Sequence, residues 1–311
     1  MNIDLSDEAF AYGREAQRAL GAAGGDLLVQ RAEADPEIRA SLVEPLLRDL
    51  GAWDLDPRGD ADDLEAAAAL SRAFGYWAAP YPVAERLARP AGSDGLIVVA
   101  DRHPEAAVAG LDLRWTTVAL DGTRGTARAV PSDEPARTSA FVTGLDLTPD
   151  GAAEARDIAL GLVLPCWTLL GMLDRAMELT REHVLVRHQF GKPLSAQQGV
   201  QFQLTDAEVE RAGIAMLARY ALWSVQDGRA EAVEDALALR LAAIEASETV
   251  FRTAHLLHGA IGFCDETALS WTSRYSQPLR RLPYGISGTR ARFTRAIGRR
   301  GLTGLFSEVT A

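Results

Sequence analysis

Cysteine and lysine are scarce in this chain. Cys166 and Cys264 are its only thiols among 311 residues. Two are too few for a disulfide framework or a zinc site, so no metal is expected. Both are expected to be small buried side chains in apolar surroundings. Lys192 is the single lysine, and the other 31 of the 32 basic residues are arginines. No apolar run reaches about 18 residues, so no membrane span is predicted. The N-terminus, MNIDLSDEAF, is acidic and lacks the pattern of a signal peptide, so a cytoplasmic protein is expected. Acid is absent from residues 267–307, which carry Arg274, Arg280, Arg281, Arg290, Arg292, Arg295, Arg299 and Arg300. Such a block calls for an external anion or an acidic partner surface, or for links to the acidic remainder of the chain.

What is present is apolar and helix-forming. The chain is 48% hydrophobic with a net charge of -11. That composition suits a globular protein with a sizeable core and argues against general nucleic-acid binding. Residues 1–90 read as a helical domain. Ser6 is a candidate N-cap, the stretch PEIRASLVEPLLRDLGAW stops at Gly51, and a third helix is ended by Pro80. Residues 91–150 turn to valine and threonine and predict four to six short strands. Residues 151–311 return to helix and predict a four-helix bundle, with a kink at Pro165 and Ser195 capping its second helix. The fold class expected is mainly α.

The sharpest local signal is RHQFGKPLSAQQGVQFQLTDAEVE, residues 187–210. It places Arg187 at a helix exit beside a turn, where a guanidinium and backbone N–H groups can converge on phosphate. With H-G-x-x-G-F at 258–263 and G-T at 288–289, this run resembles the C-terminal domain of the acyl-CoA dehydrogenases. The resemblance covers residues 153–300. It implies that family's fold: an N-terminal helical domain, a β middle domain, here reduced, and a C-terminal four-helix domain.

The resemblance also implies chemistry. The family dehydrogenates acyl-CoA thioesters between the α and β carbons, with a glutamate as base and FAD as hydride acceptor. The usual glutamate position is Ser287 here, and the alternative one is Gly161. Ala159 and Leu162 stand where the family holds substrate with Asp and Arg. Of the flavin-ring strands only Ser93-Asp94 and Trp115-Thr116-Thr117 echo the pattern. Elements that relatives donate to the neighbouring subunit's FAD are largely kept, as Arg187, Gln189, Phe190, Gln198, Gly259 and Gly262. Leu256 and Ala260 depart from the family's residues in the second turn. The expectation is therefore a subunit without a catalytic residue of its own. It would share FAD with a catalytic α subunit in an α2β2 dehydrogenase, acting on a steroid side-chain or other bulky acyl-CoA held mainly by the partner. Two other readings stay open. One is a stand-alone acyl-CoA enzyme with its base relocated to Glu178, Glu182, His183 or His258. The other is a scaffold that binds no cofactor.

Overall fold

The computed structural model describes residues 3–130 and 139–301, without the side chains of Arg299 and Arg300. Helix α1 (Asp7–Ala23) begins where the Ser6 side chain accepts the Ala9 N–H, with Asp7 and Glu8 in the first turn. Helices α2 (Leu27–Ala34) and α3 (Arg39–Asp49) follow. Gly51 then turns the chain at φ 66°, a conformation that favours glycine. Helix α4 (Ala61–Tyr76) is capped by Asp60, which accepts the N–H groups of Asp62 and Asp63. It ends ahead of Pro80, because Ala78 already takes φ 46°. Helix α5 (Val83–Leu87) was not expected from the sequence.

A five-stranded sheet comes next, within the expected count of strands. Its members are β1 (Gly95–Val98), β2 (Glu105–Ala106), β3 (Trp115–Val118), β4 (Thr123–Ala129) and β5 (Thr143–Ala152). They lie in the order β1-β3-β4-β5-β2, with β1 parallel to β3 and the other pairs antiparallel. Every residue of β1 and β3 is buried, which fits strands covered on both faces. The buried Arg39 guanidinium ties this sheet to the N-terminal helices. It donates to Pro80 O, Ala109 O and Ala107 O and lies 4.2 Å from the Phe141 ring centre. Burial lowers its pKa to about 9.

The C-terminal part opens with α6 (Ala155–Val186), which holds Pro165 inside it. This helix is long and apolar enough to cross a membrane, but 83% of its apolar window is buried within the protein. It is a core helix, and its size follows from being packed on several sides. Gly171 lets α4 approach closely: a Cβ there would lie 1.9 Å from Arg72 O. A small hairpin, β6 (His188–Gln189) and β7 (Lys192–Pro193), leads into α7 (Gln198–Gln226). Ser195 is not the cap of α7. The Leu194 N–H is spent on Arg187 O, which extends the hairpin and leaves Ser195 in a 3-10 turn, so Gln197 becomes the N-cap. Helix α8 (Ala232–His258), a 3-10 turn over Gly259–Phe263, α9 (Ala268–Tyr275), α10 (Gln277–Arg281) and α11 (Ile286–Arg300) complete the described chain. Helices α6, α7, α8 and α11 form the bundle. Cys166 is buried as expected, and burial pushes its thiol up to about 11, whereas Cys264 is exposed.

Candidate functional site at the end of the helical bundle

Two regions carry the residues of interest. The first is the end of the bundle where α6 and α8 finish together. His183, one turn before the exit of α6, stacks on His258, the last residue of α8, with ring centres 4.4 Å apart. That contact brings Arg187 and Gly259 to the same end. Arg187 is the C-cap of α6, its N–H bonded to His183 O at 2.9 Å. Burial lowers the pKa of both stacked imidazoles. Arg187 adds to the effect on His183, and His183 and His255 add to it on His258. Both are therefore mainly neutral at pH 7, and the exposed Arg187 and Lys192 carry positive charge there.

The turn after Arg187 is built under strain. Phe190 and Gly191 both take positive φ, 53° and 76°, which closes a two-residue hairpin in the form that matches strand twist. Glycine adopts that conformation freely, while a bulky phenylalanine does so at a cost. The Phe190 side chain is 94% exposed, so nothing inside this chain compensates it. Gln189 and Gln198 are exposed beside it. Across from them, Gly259 takes φ 66°, and a Cβ there would meet nothing. Gly262 differs: it is buried, and a Cβ would come within 2.9 Å of His258 Cβ. It serves the packing of the turn on His258 rather than an open surface. Arg187 and Gly259 are thus brought to one end of the bundle, while Gln189 and Phe190 in the hairpin and Gln198 at the start of α7 stand open to solvent.

The second region is the pair of positions where relatives carry a base. Ser287 is exposed in the first turn of α11. Gly161 lies in α6 against β1, where a Cβ would sit 2.6 Å from Val98 Cγ2. Val98 therefore occupies the place that a side chain at 161 would need. Ala159 and Leu162 are buried core residues.

The flavin-strand echoes are used up internally. Ser93 Oγ lies 2.9 Å from both Gly95 O and Arg114 O, one of which takes its single proton, and it accepts the Thr116 N–H. Asp94 is held by Arg114, whose hydrogen bonds keep that carboxyl below its usual range. Trp115 is 2% exposed, with its ring against Gly95. Ser93, Asp94, Trp115 and Thr116 also line an open cleft of about 950 Å³. The open end at Arg187 does fit an anionic cofactor segment reaching in from outside, since its guanidinium is exposed and the turns leave room beside it.

The arginine block is less bare than its sequence implies. Arg274 pairs with Asp265 and Glu33, Arg290 with Glu245, and Arg292 with Asp101 while lying over the Tyr284 ring. Arg280 lies over Phe251. Acid from distant segments supplies the counter-charge, which a linear reading of charge misses. The side chains of Arg299 and Arg300 lie outside the described residues.

The relocated-base candidates are also placed. Glu178 pairs with Arg175 at 3.1 Å on the outer side of α6, and Glu182 is exposed. His258 Nδ1 lies 2.8 Å from Ala254 O, a bond within its own helix. None of these lines the interior cavity where α5, β1, α6 and α10 meet. Glu85 does, and the sequence reading passed over it. Its one signal is a lone acid among the buried apolar residues Val83, Ala84 and Leu87.

Residues 158–301 match the acyl-CoA dehydrogenase C-terminal domain family. The mitochondrial isobutyryl-CoA dehydrogenase of Bos taurus is 29% identical over 108 residues, 35% of this chain and 26% of that relative. The match therefore spans about a quarter of that relative's length. In fold, the chain is similar to the ChsE4-ChsE5 complex from Mycobacterium tuberculosis, with TM-score 0.76 and 15% identity over 97% of this chain and 100% of that one. It is likewise similar to the Tcur3481-Tcur3483 steroid ACAD, with TM-score 0.77 and 19% identity over 95% and 99%. Residues 158–301 thus belong to the acyl-CoA dehydrogenase C-terminal domain family, and the chain as a whole shares the fold of these two solved structures.

Proposed function

We propose that this chain is the non-catalytic β subunit of a heteromeric, FAD-dependent acyl-CoA dehydrogenase, cytoplasmic and assembled as α2β2 with a catalytic partner. The observation that carries the reading is a split. The residues that would serve a neighbour's cofactor stand exposed at one end of the bundle. The positions that would serve this chain's own catalysis are filled by Ser287 and by Gly161 under Val98. The three parts of the chain, 1–90, 91–150 and 151–311, would act as the helical, β and helical domains of such a subunit.

In this reading FAD, when bound, supplies hydride acceptance on the partner chain. This chain's task is binding. Arg187 gives charge-assisted hydrogen bonds to the pyrophosphate, each worth about 1.5–3 kcal/mol. Gln189 and Gln198 offer amide donors and acceptors, and Phe190 offers an exposed apolar ring. Gly259 admits close backbone approach. Neutral His183 and His258 hold the two helix ends together without adding charge of their own.

The partner surface has its own support. Phe202, Val209 and Met216 follow at intervals of seven on α7 and are 60%, 64% and 51% exposed. Such an apolar stripe on one helix face marks an interaction site. Two neighbours in fold are named as a complex or as a pair of chains, one of them a steroid ACAD, which favours a heteromeric assembly and a bulky acyl-CoA. The test is expression of the chain alone and together with a dehydrogenase gene from its neighbourhood. The proposal expects flavin and acyl-CoA oxidation only in the co-expressed complex. Yellow, active protein from the single chain would sink it and favour a relocated base.

A further inference from the structure

Helix α7 carries an apolar seam that the packing of this chain does not use. Ala207, Ile214, Ala218, Ala221 and Val225 are buried on its inner face. On the opposite face Phe202, Val209, Met216 and Trp223 recur at every seventh residue. The first three are exposed and Trp223 is half-buried, with the Tyr220 ring centre 5.7 Å from its own. Thr205, Ala212 and Gly213 stand between them, all exposed, and a Cβ added at Gly213 would meet nothing. Three heptads of helix span about 30 Å.

The spacing selects the occupant. A repeat of seven keeps to one seam only against a second helix crossing at a shallow angle of about 20°. Large residues then act as knobs, and small ones such as Ala212 and Gly213 leave room for knobs from the facing helix. A rounded protein surface would call for the broader apolar stripe that core-facing helices carry.

Charge narrows the choice. One flank of the seam carries Asp206 and Glu210, a turn apart beside Val209 and both exposed. Neither has an ion pair or a side-chain hydrogen bond among the described residues. The other flank is already balanced. Arg211 donates to Glu208 at 2.8 Å and to Asp174 at 2.9 Å, Arg219 donates to Asp4, and Arg181 on α6 adds its field to Glu208. A second copy of this chain is a poor occupant. A twofold pairing sets one patch against itself. With Val209 at its centre, Asp206 and Glu210 of one copy would face those of the other and repel them.

We propose that α7 docks a single amphipathic helix, borne in the proposed assembly by the partner subunit, with an apolar seam that repeats every seven residues and lysine or arginine along the flank that meets Asp206 and Glu210. The inference rests on the α7 stripe being a partner surface, and it adds the chemistry of the segment that covers it. The two acids keep copies of this chain apart on that face and admit a basic helix, so they set partner choice.

The experiment is fluorescence-anisotropy titration of the full chain with two labelled synthetic peptides of three heptads. Both carry leucine at the first and fourth heptad positions, one has lysine on its flanks, and the other has glutamate. The expected result is saturable binding of the lysine peptide, about tenfold or more tighter than the glutamate peptide in about 0.15 M salt. Val209→Gln should weaken it severalfold. The double change Asp206→Lys and Glu210→Lys should reverse the preference, although the chain stays acidic overall. That reversal separates this flank from attraction to net charge. An unchanged preference in the double variant overturns the proposal. So does equal affinity for the two peptides, and so does the absence of saturable binding in the micromolar to millimolar range. A native chain that sediments as a dimer, and as a monomer with Val209→Gln, would assign the seam to a second copy and overturn it as well. With the peptide results intact, retention of the catalytic partner by Phe202→Glu would overturn only the reading of α7 as that partner's surface.

Discussion

Placing an alanine at Gly161 tests why α6 cannot carry a base there. An added Cβ would lie 2.6 Å from Val98 Cγ2 and 3.5 Å from Leu96 Cδ2. Carbon contacts settle near 3.5–4.0 Å, so Val98 must yield by about 1 Å while Leu96 need not move. Overpacking of that kind costs about 1–3 kcal/mol. Replacing glycine by alanine inside a helix returns about 1 kcal/mol. The net expectation for Gly161→Ala is therefore a loss of about 0–2 kcal/mol. In a Val98→Ala background the clash is gone and the helix gain remains, so the same change should stabilise by about 0.5–1 kcal/mol. The assay is thermal unfolding of the four proteins at fixed concentration, where about 2 °C corresponds to 1 kcal/mol in a chain of this size. A change of sign between backgrounds is the signature. If Gly161→Ala has the same effect in both, Val98 is not what closes this position, and the argument against a base on α6 loses its physical ground.

Two further expectations follow from buried acid and exposed apolar surface. Burial raises the pKa of Glu85 above its ordinary 4.5, against the pull of Arg39. From pH 4.5 upward the unfolded chain gives up this proton before the folded one does, so the contribution of Glu85 to stability falls as pH rises through its folded pKa. The thermal midpoint of the native chain should thus decline relative to Glu85→Gln from pH 4.5 upward, and a constant difference would refute it. On α7, Phe202→Glu should leave the midpoint within about 0.5 kcal/mol of the native value, as exposed positions do. It should abolish co-purification with the catalytic partner, and retained co-purification would remove α7 from the interface.

Much of the fold is legible in the sequence because its signals are local. Ser6 caps α1, Gly51 follows α3, and valine and threonine mark the sheet. Helix α5 is hidden because five residues carry too little periodicity to show. The true start of α7 is hidden because it depends on a bond from Leu194 N–H back to Arg187 O, which no spacing rule encodes. The site divides in the same way. Arg187 and the glycine turn are legible as motifs, yet only the His183–His258 stack brings them to one end. The pairing of Arg290 with Glu245 and of Arg292 with Asp101 is a tertiary fact that makes a charge block look barer than it is.

The account stands most directly on Arg187. The measurement is FAD content and FAD affinity of the co-expressed complex carrying Arg187→Ala, with Arg187→Lys beside it. Loss of charge-assisted bonds to pyrophosphate should weaken FAD by about tenfold or more in the alanine variant, with partial recovery in the lysine variant and the complex still assembled. An assembled complex with unchanged FAD content and affinity would contradict the central claim and leave this chain a scaffold.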